Sequence, residues 1–132
     1  ELGKTLGEEL LVPTEIYVKP LLAAIMNIKI KSIAHITGGG FYENIPRMLP
    51  DRIRARLDKR AVPVPPIFRL IAEKGRICER EMYNTFNMGV GMAVIVSKQD
   101  ADKCILVLKE NGVNAAVLGE CVAGDQSGIE IV

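Results

Sequence analysis

The sequence predicts an α/β layered domain, and three observations carry that prediction. The isoleucine-rich run from Ile30 to Ile36 ends on three consecutive glycines, Gly38, Gly39 and Gly40. The run Met92-Ala93-Val94-Ile95-Val96 is apolar throughout and passes through Ser97 into an amphipathic segment. Elsewhere, short apolar runs of strand type alternate with i, i+3, i+4 stripes of helix type, as expected for strands and helices layered around a core. The 132 residues suffice for one domain with a real core. Their 48% hydrophobic and 25% charged composition is that of an ordinary globular chain and excludes disorder. A formal net charge of +1 excludes a broad nucleic-acid footprint, which needs clustered basic charge.

The elements follow in order. Residues 1–14 hold Gly3, Gly7 and Pro13 around Leu10-Leu11-Val12 and read as a connector with one helical turn in Leu6–Leu11. Pro13 biases Val12 toward extended backbone. The opening on Glu1, without methionine, fits a domain cut from a longer chain. Residues 17–27 predict a helix with Pro20 in its first turn and Val18, Leu21, Leu22 and Ile25 on one face. Ile30–Ile36 predicts a strand, and Phe41–Asn44 a short helix that Pro46 ends or restarts. Arg52–Leu57 reads as a strand whose arginines form a solvated face, with a local phosphate contact as the alternative. The prolines of Ala61–Pro66 demand an extended segment that cannot be a central strand.

Pro66 then opens a helix to Lys74, carrying Ile67, Leu70 and Ile71 on one face, with Gly75 as its stop. A second helix covers Glu79–Phe86 and ends at Asn87-Met88-Gly89. Gly91–Val96 predicts a strand buried on both faces. Ser97-Lys98-Gln99-Asp100 resembles a capping box for a helix to Asn111, with Ala101, Cys104, Ile105 and Leu108 inward and Gly112 as its stop. Ala115–Val122 and Gly128–Val132 predict the last two strands, joined by a turn. Cys78, Cys104 and Cys121 have no metal-ligand spacing, and their odd number suits a reducing cytoplasm better than a disulfide framework. No apolar run approaches a membrane span, and no signal-peptide pattern opens the sequence. The aspartates are scattered and predict no metal site.

Two stretches can carry chemistry. In Thr37-Gly38-Gly39-Gly40…Asn44-Ile45-Pro46-Arg47, Thr37 can cap a helix start whose free amides hold an anion, and Arg47 adds a forked cation. It is neither a Walker loop nor a dinucleotide fingerprint, since the lysine and the spacing are absent. The alternative is a plain turn packed closely on a neighbour. His35, just before it, is either a substrate contact and proton carrier or a satisfied strand histidine. Ala34 and Ile36 should point away from it. In Thr85-Phe86-Asn87-Met88-Gly89-Val90-Gly91-Met92, Asn87 either takes a left-handed cap or offers its amide to a ligand. Glu43 reads as a complement to the short helix's N-terminus.

Four blocks together are recognisable: Leu6 to Lys19 (Leu-Gly-Glu-Glu-Leu-Leu-Val-Pro-Thr-Glu-Ile-Tyr-Val-Lys), Ala34 to Gly40, Glu43 to Arg47, and Thr85 to Met92. In this order they closely resemble the C-terminal domain of the phosphoribosylformylglycinamidine cyclo-ligases, or aminoimidazole ribonucleotide synthetases. The resemblance implies an α/β (α+β) fold, a layered α-β-α domain with a mixed sheet. It implies residues 1–14 as a connector from a missing N-terminal ATP-binding domain, and 15–132 as the C-terminal synthetase domain. The implied reaction is ATP-dependent closure of formylglycinamidine ribonucleotide to aminoimidazole ribonucleotide in purine synthesis, releasing ADP and phosphate. The implied enzyme is a cytoplasmic homodimer whose N-terminal domain holds most of the ATP and Mg2+, without nucleic acid or membrane partners. On this resemblance Thr37, Gly38, Gly39 and Gly40 contact substrate or its phosphate, Asn44 and Arg47 are polar supports, and Asn87 is a further contact. His35 is the cleft residue assigned to catalysis, and the chain alone is expected to be inactive. The alternatives are another ATP-dependent synthetase of that superfamily and a stand-alone phosphate-binding module.

Overall fold

The computed structural model describes residues 2–132; Glu1, the first residue of the expected connector, lies outside them. The first helix, α1 (Leu6–Leu10), owes its start to Thr5. Thr5 Oγ1 accepts from the Glu8 amide at 3.2 Å, and Glu8 Oε2 accepts from the Thr5 amide at 2.8 Å. This reciprocal box satisfies two otherwise orphaned donors. The second, α2 (Val18–Asn27), carries Pro20 inside its first turn, where no intrahelical donor is lost.

The buried stripe of α2 is not the expected one. Pro20, Ala24 and Ile28 face inward, whereas Val18, Leu22 and Ile25 are exposed and Leu21 is half-buried. The reason is the partner helix, α6 (Ala101–Glu110). Small Ala24 lets the two helices close over a core of Ala24, Ile28, Cys104 and Leu108. Burial raises the Cys104 thiol above its ordinary range, as suits a small core residue.

Between these helices and the rest of the molecule runs a two-stranded antiparallel sheet of β1 (Ser32–His35) and β3 (Met92–Ile95), with His35 opposite Met92. Val94 and Val96 pack on the α2–α6 core, and Ala93 and Ile95 on the main core. Thus β3 packs through both faces, but it is not the fully buried strand that its sequence predicts. Its residues are only half-buried, because a two-stranded sheet leaves one edge of each strand open.

The main core is built on α3 (Gly40–Asn44), α5 (Glu79–Thr85) and a three-stranded mixed sheet. Its central strand, β2 (Ile53–Leu57), pairs antiparallel with β4 (Gly119–Ala123) and parallel with β5 (Gly128–Ile131). The α+β architecture with a mixed sheet is therefore present. Ala55 and Leu57 of β2 point inward, and the exposed Arg56 lies opposite Glu120 on one side and Glu130 on the other. Its guanidinium reaches them at 3.8 and 3.5 Å. The arginine-rich segment is thus a solvated strand face.

Three boundaries differ from expectation for local reasons. Strand β4 begins at Gly119 rather than Ala115, because the β2 ladder ends with Leu57 opposite Gly119; the Asp58 amide still donates to the Leu118 carbonyl at 2.8 Å, and the chain then turns away at Lys59–Ala61. Helix α4 (Pro66–Gly75) includes Gly75, and Arg76 takes the left-handed cap at φ +51°. A Cβ on Gly75 would lie 2.9 Å from the outer carbons of the Ile77 side chain, which can shift to make room. Ser97 caps no amide; its hydroxyl bonds the Asp100 carboxylate, and a 3-10 turn at Lys98–Asp100 leads into α6. Among the described residues no helix is long and apolar enough to cross a membrane.

Two substitutions on the three-stranded sheet separate its surface from its frame. Arg56→Ala should cost under about 1 kcal/mol in urea unfolding, because both of its ion pairs are exposed. Gly119→Ala should cost at least about 2 kcal/mol, since its Cβ would stand 2.0 Å from the Arg56 carbonyl oxygen. Equal effects would show that the charge ladder, not the backbone approach, holds β4 in register.

Candidate functional site

The glycine loop lies between β1 and α3, and each of its glycines has a different status. Gly39 sits at φ +86° and Gly40 at φ +52°, both in the region that favours glycine. Gly40 is also closed in: a Cβ would lie 2.1 Å from the Tyr83 carbonyl oxygen and 2.8 Å from that of Phe86. Gly38 has neither constraint. It lies outside the positive-φ region, and a Cβ there would meet nothing within 4 Å.

Asn44 holds the loop together from beneath. It is buried, and its Nδ2 donates to the carbonyls of Gly40 at 2.7 Å, Gly38 at 3.1 Å and Thr37 at 3.4 Å. Thr37 does not cap α3, contrary to expectation. The cap position belongs to Gly39, two residues later, and Thr37 contributes its carbonyl, which accepts from the Gly40 amide at 3.0 Å. That amide is therefore already used within the turn.

Beside the loop is an open hollow of about 270 Å³ whose wall includes His35, Asn44, Arg47 and Met48. His35 is exposed, and its neighbours Ala34 and Ile36 turn inward, as strand alternation requires. The Tyr17 ring meets the His35 ring edge-on, 6.3 Å between centroids. Burial, then the charge of Glu15, raises the Tyr17 hydroxyl above its ordinary range. Tyr17 also closes on Gly91, where a Cβ would lie 1.9 Å from the tyrosine oxygen. The chain just before α2 is thereby fixed against both β1 and the start of β3.

The structure brings His35, Asn44 and Arg47 to one hollow at the loop. Asn87 does not line it. Its Oδ1 accepts from the Gly89 amide at 3.0 Å, closing a local turn. The left-handed backbone expected at Asn87 falls instead on Met88 (φ +49°) and Gly89 (φ +90°), because the side-chain turn carries the reversal one residue further. Glu43 has a larger part at the loop than the sequence reading gave it. Its carboxylate folds back over Gly39 and accepts from Arg47 at 3.1 Å. The i, i+4 spacing of Glu43 and Arg47 carried that signal. Among the described residues, no group of three or more His, Cys, Asp or Glu is placed to hold a metal ion.

Comparison with known proteins gives a consistent result. The family described as AIR synthase related protein, C-terminal domain, matches residues 1–132. A phosphoribosylformylglycinamidine cyclo-ligase of Alkaliphilus oremlandii is 52% identical over 124 residues, 94% of this chain and 36% of that protein. One of Caldicellulosiruptor bescii is 54% identical over 125 residues, 95% of this chain and 37% of that protein. One of Agathobacter rectalis is 50% identical over 133 residues, 100% of this chain and 39% of that protein. The chain thus spans little more than a third of the length of these relatives.

The loop geometry makes a stability prediction. Asn44→Asp should cost about 2 kcal/mol or more in urea unfolding, because a carboxylate cannot donate to the carbonyls that the amide serves. Arg47→Ala, whose ion pair with Glu43 is exposed, should stay within about 0.5 kcal/mol. A large loss from Arg47→Ala would move it from the surface of the loop to its frame.

Proposed function

The chain belongs to the family of AIR synthase related protein C-terminal domains, and from that membership we propose that it is the C-terminal part of an ATP-dependent cyclo-ligase. The observation that carries this reading is similarity at 50–54% identity over nearly the whole chain to proteins named for that reaction. The proposed reaction closes the imidazole ring of formylglycinamidine ribonucleotide to give aminoimidazole ribonucleotide, ADP and phosphate. Residues 1–14 are then the connector from an upstream domain, and 15–132 the C-terminal domain proper. We assign ATP and Mg2+ mainly to that upstream domain, as the resemblance to the cyclo-ligases implies. The whole enzyme is read as a cytoplasmic homodimer.

ATP supplies the phosphoryl group that turns the formyl oxygen into a leaving group. This chain's part is binding and orientation. Gly38 is the glycine that neither dihedral nor packing demands, which suits a position kept bare for close approach of a ligand. Thr37, Gly39 and Gly40 shape the loop around it, and Asn44 fixes that shape from within. Arg47 stands at the hollow with its guanidinium exposed and can turn from Glu43 to the 5′-phosphate of the substrate. His35 opens into the same hollow and can accept the proton lost by the attacking nitrogen. Asn87, outside the hollow, offers a further ligand contact through its side-chain NH2, its Oδ1 being taken by the Gly89 amide.

Two measurements test the reading. In the full-length enzyme, Arg47→Ala should raise KM for the ribonucleotide about tenfold or more with a smaller change in kcat, the value of one lost charge-assisted contact. His35→Ala should lower kcat and leave KM near its original value. Calorimetric titration of a 5′-phosphorylated amidine analogue should give saturable binding to the full-length enzyme, strengthened by ATP, and little to this chain alone. Equally tight binding to this chain alone would make it a self-sufficient phosphate binder, and no binding to either would sink the cyclo-ligase reading.

A further inference from the structure

Tyr83, whose carbonyl meets Gly40, also lines a second cleft distinct from the hollow beside the loop. This cleft, about 580 Å³, lies between the Lys59–Val64 connection, α4 and α5. That volume suits a small organic molecule. Val62, Val64, Phe68, Ala72, Met82 and Met88 make its wall apolar. Lys59, Arg60, Arg69 and Glu79 give it an excess of positive charge. Lys59 is paired with Glu79 and Arg60 with Asp58, while among the described residues Arg69 is in no ion pair.

Two further features mark the cleft. The first is the Tyr83 hydroxyl. The residue is only 3% exposed, and among the described residues its oxygen has no hydrogen-bond partner. An orphaned buried hydroxyl is costly and uncommon, and a group that accepts its proton would relieve that cost. Burial, with Glu79 adding, raises its pKa, so it stays protonated near neutral pH and needs an acceptor. The second is backbone strain. Val64 sits at φ +34° and Met88 at φ +49°, both in the left-handed region that side chains disfavour, and Val64 is β-branched. Such residues gather at ligand sites, where the surrounding structure holds them.

We propose that this cleft binds a small organic anion with a flat apolar body. The body packs against Phe68 and Met88. Its anionic oxygen accepts the Tyr83 hydroxyl, and Lys59 and Arg69 balance its charge. The Lys59–Glu79 pair is about half exposed on both sides and therefore weak enough to open for the exchange. The proposal is independent of the cyclo-ligase reading, which uses none of these side chains.

The chain carries its own reporters. Met82 and Met88 line this cleft, Met48 lines the hollow at the glycine loop, and Met26 is on the exposed face of α2. The full-length protein, labelled at methionine methyl groups, is titrated with phenyl phosphate, benzoate and benzylamine. The first two share an aromatic body and differ in the anion; the third reverses the charge. Saturable shifts at Met82 and Met88, but not at Met26 or Met48, are expected with at least one anion and not with benzylamine. Comparing the two anions tells a phosphate ester from a carboxylate. Arg69→Ala and Tyr83→Phe should each weaken binding about tenfold, the value of one hydrogen bond to a charged group. Tyr83→Phe should at the same time leave Tm unchanged or raise it, because it removes an unsatisfied hydroxyl. Ala72→Phe should fill the cleft and abolish binding; Arg69 is exposed, so its variant keeps the test decisive if the filled cleft does not fold. No saturable binding, equal binding of benzylamine, shifts centred on Met26 or Met48, or binding indifferent to both Arg69→Ala and Tyr83→Phe would overturn the proposal.

Discussion

The structure depends on the seat of Gly40 against the end of α5. Helix α3 can approach the carbonyls of Tyr83 and Phe86 only because no Cβ stands between them. That approach puts Phe41 edge-on to Tyr83, 5.2 Å between ring centroids, with both residues buried. Fully burying one such aromatic contributes about 2 kcal/mol or more, so the absent Cβ stabilises far more than its own entropy costs. The same seat joins the two halves of the main core: Ile36 arrives from β1, Ile45 leaves α3, and Met82 and Met88 come from α5 and the turn after it. A closed backbone contact here fixes the glycine loop as firmly as a strand would.

The loop can therefore be rigid below and open above. Its lower surface is buried in the Gly40 seat and the Asn44 amide, so its carbonyls are satisfied without solvent. Its upper surface is open at Gly38, and His35 and Arg47 line the hollow beside it. The second core of α2 and α6 braces the other face of β1 and β3 through Val94 and Val96. Tyr17 then ties the entry to α2 onto His35 and Gly91. A strand of four residues with one open edge would be a poor platform alone. Braced on both faces, it holds the start of the loop in place.

The sequence made the local elements readable and left their partners unread. Alternation placed Ala34 and Ile36 inward and His35 outward, because strand periodicity is a property of the chain itself. Amphipathic spacing found α6 and its buried pair Cys104 and Leu108. The same logic failed on α2, where large side chains marked one face and small Ala24 the one that is buried. Helix packing there rewards closeness, which residue size does not announce. The start of β4 was equally hidden, since it is set by the end of β2 some sixty residues earlier. At the loop, the sequence offered a set of residues but not what each side chain touches. Asn44 read as a polar support at the ligand, and its amide serves the loop's own carbonyls. Glu43 looked like a helix-end charge and covers Gly39. The orphaned hydroxyl of Tyr83 exists only in three dimensions.

Under the proposed function, the charges at the loop also explain how binding would change it. Arg47 and Glu43 form an exposed pair, worth at most about 1 kcal/mol. A phosphate offers Arg47 a doubly charged, bidentate partner and so competes well for the guanidinium. Glu43 then loses its counter-charge and stands close to the incoming anion. Like charges at that distance repel, so its carboxylate must swing off Gly39 into solvent. The movement uncovers the loop beside Gly38, where ligand and backbone are proposed to meet. Under that function, binding at Arg47 and access to the glycines would be coupled through Glu43, which pairs with the first and covers Gly39.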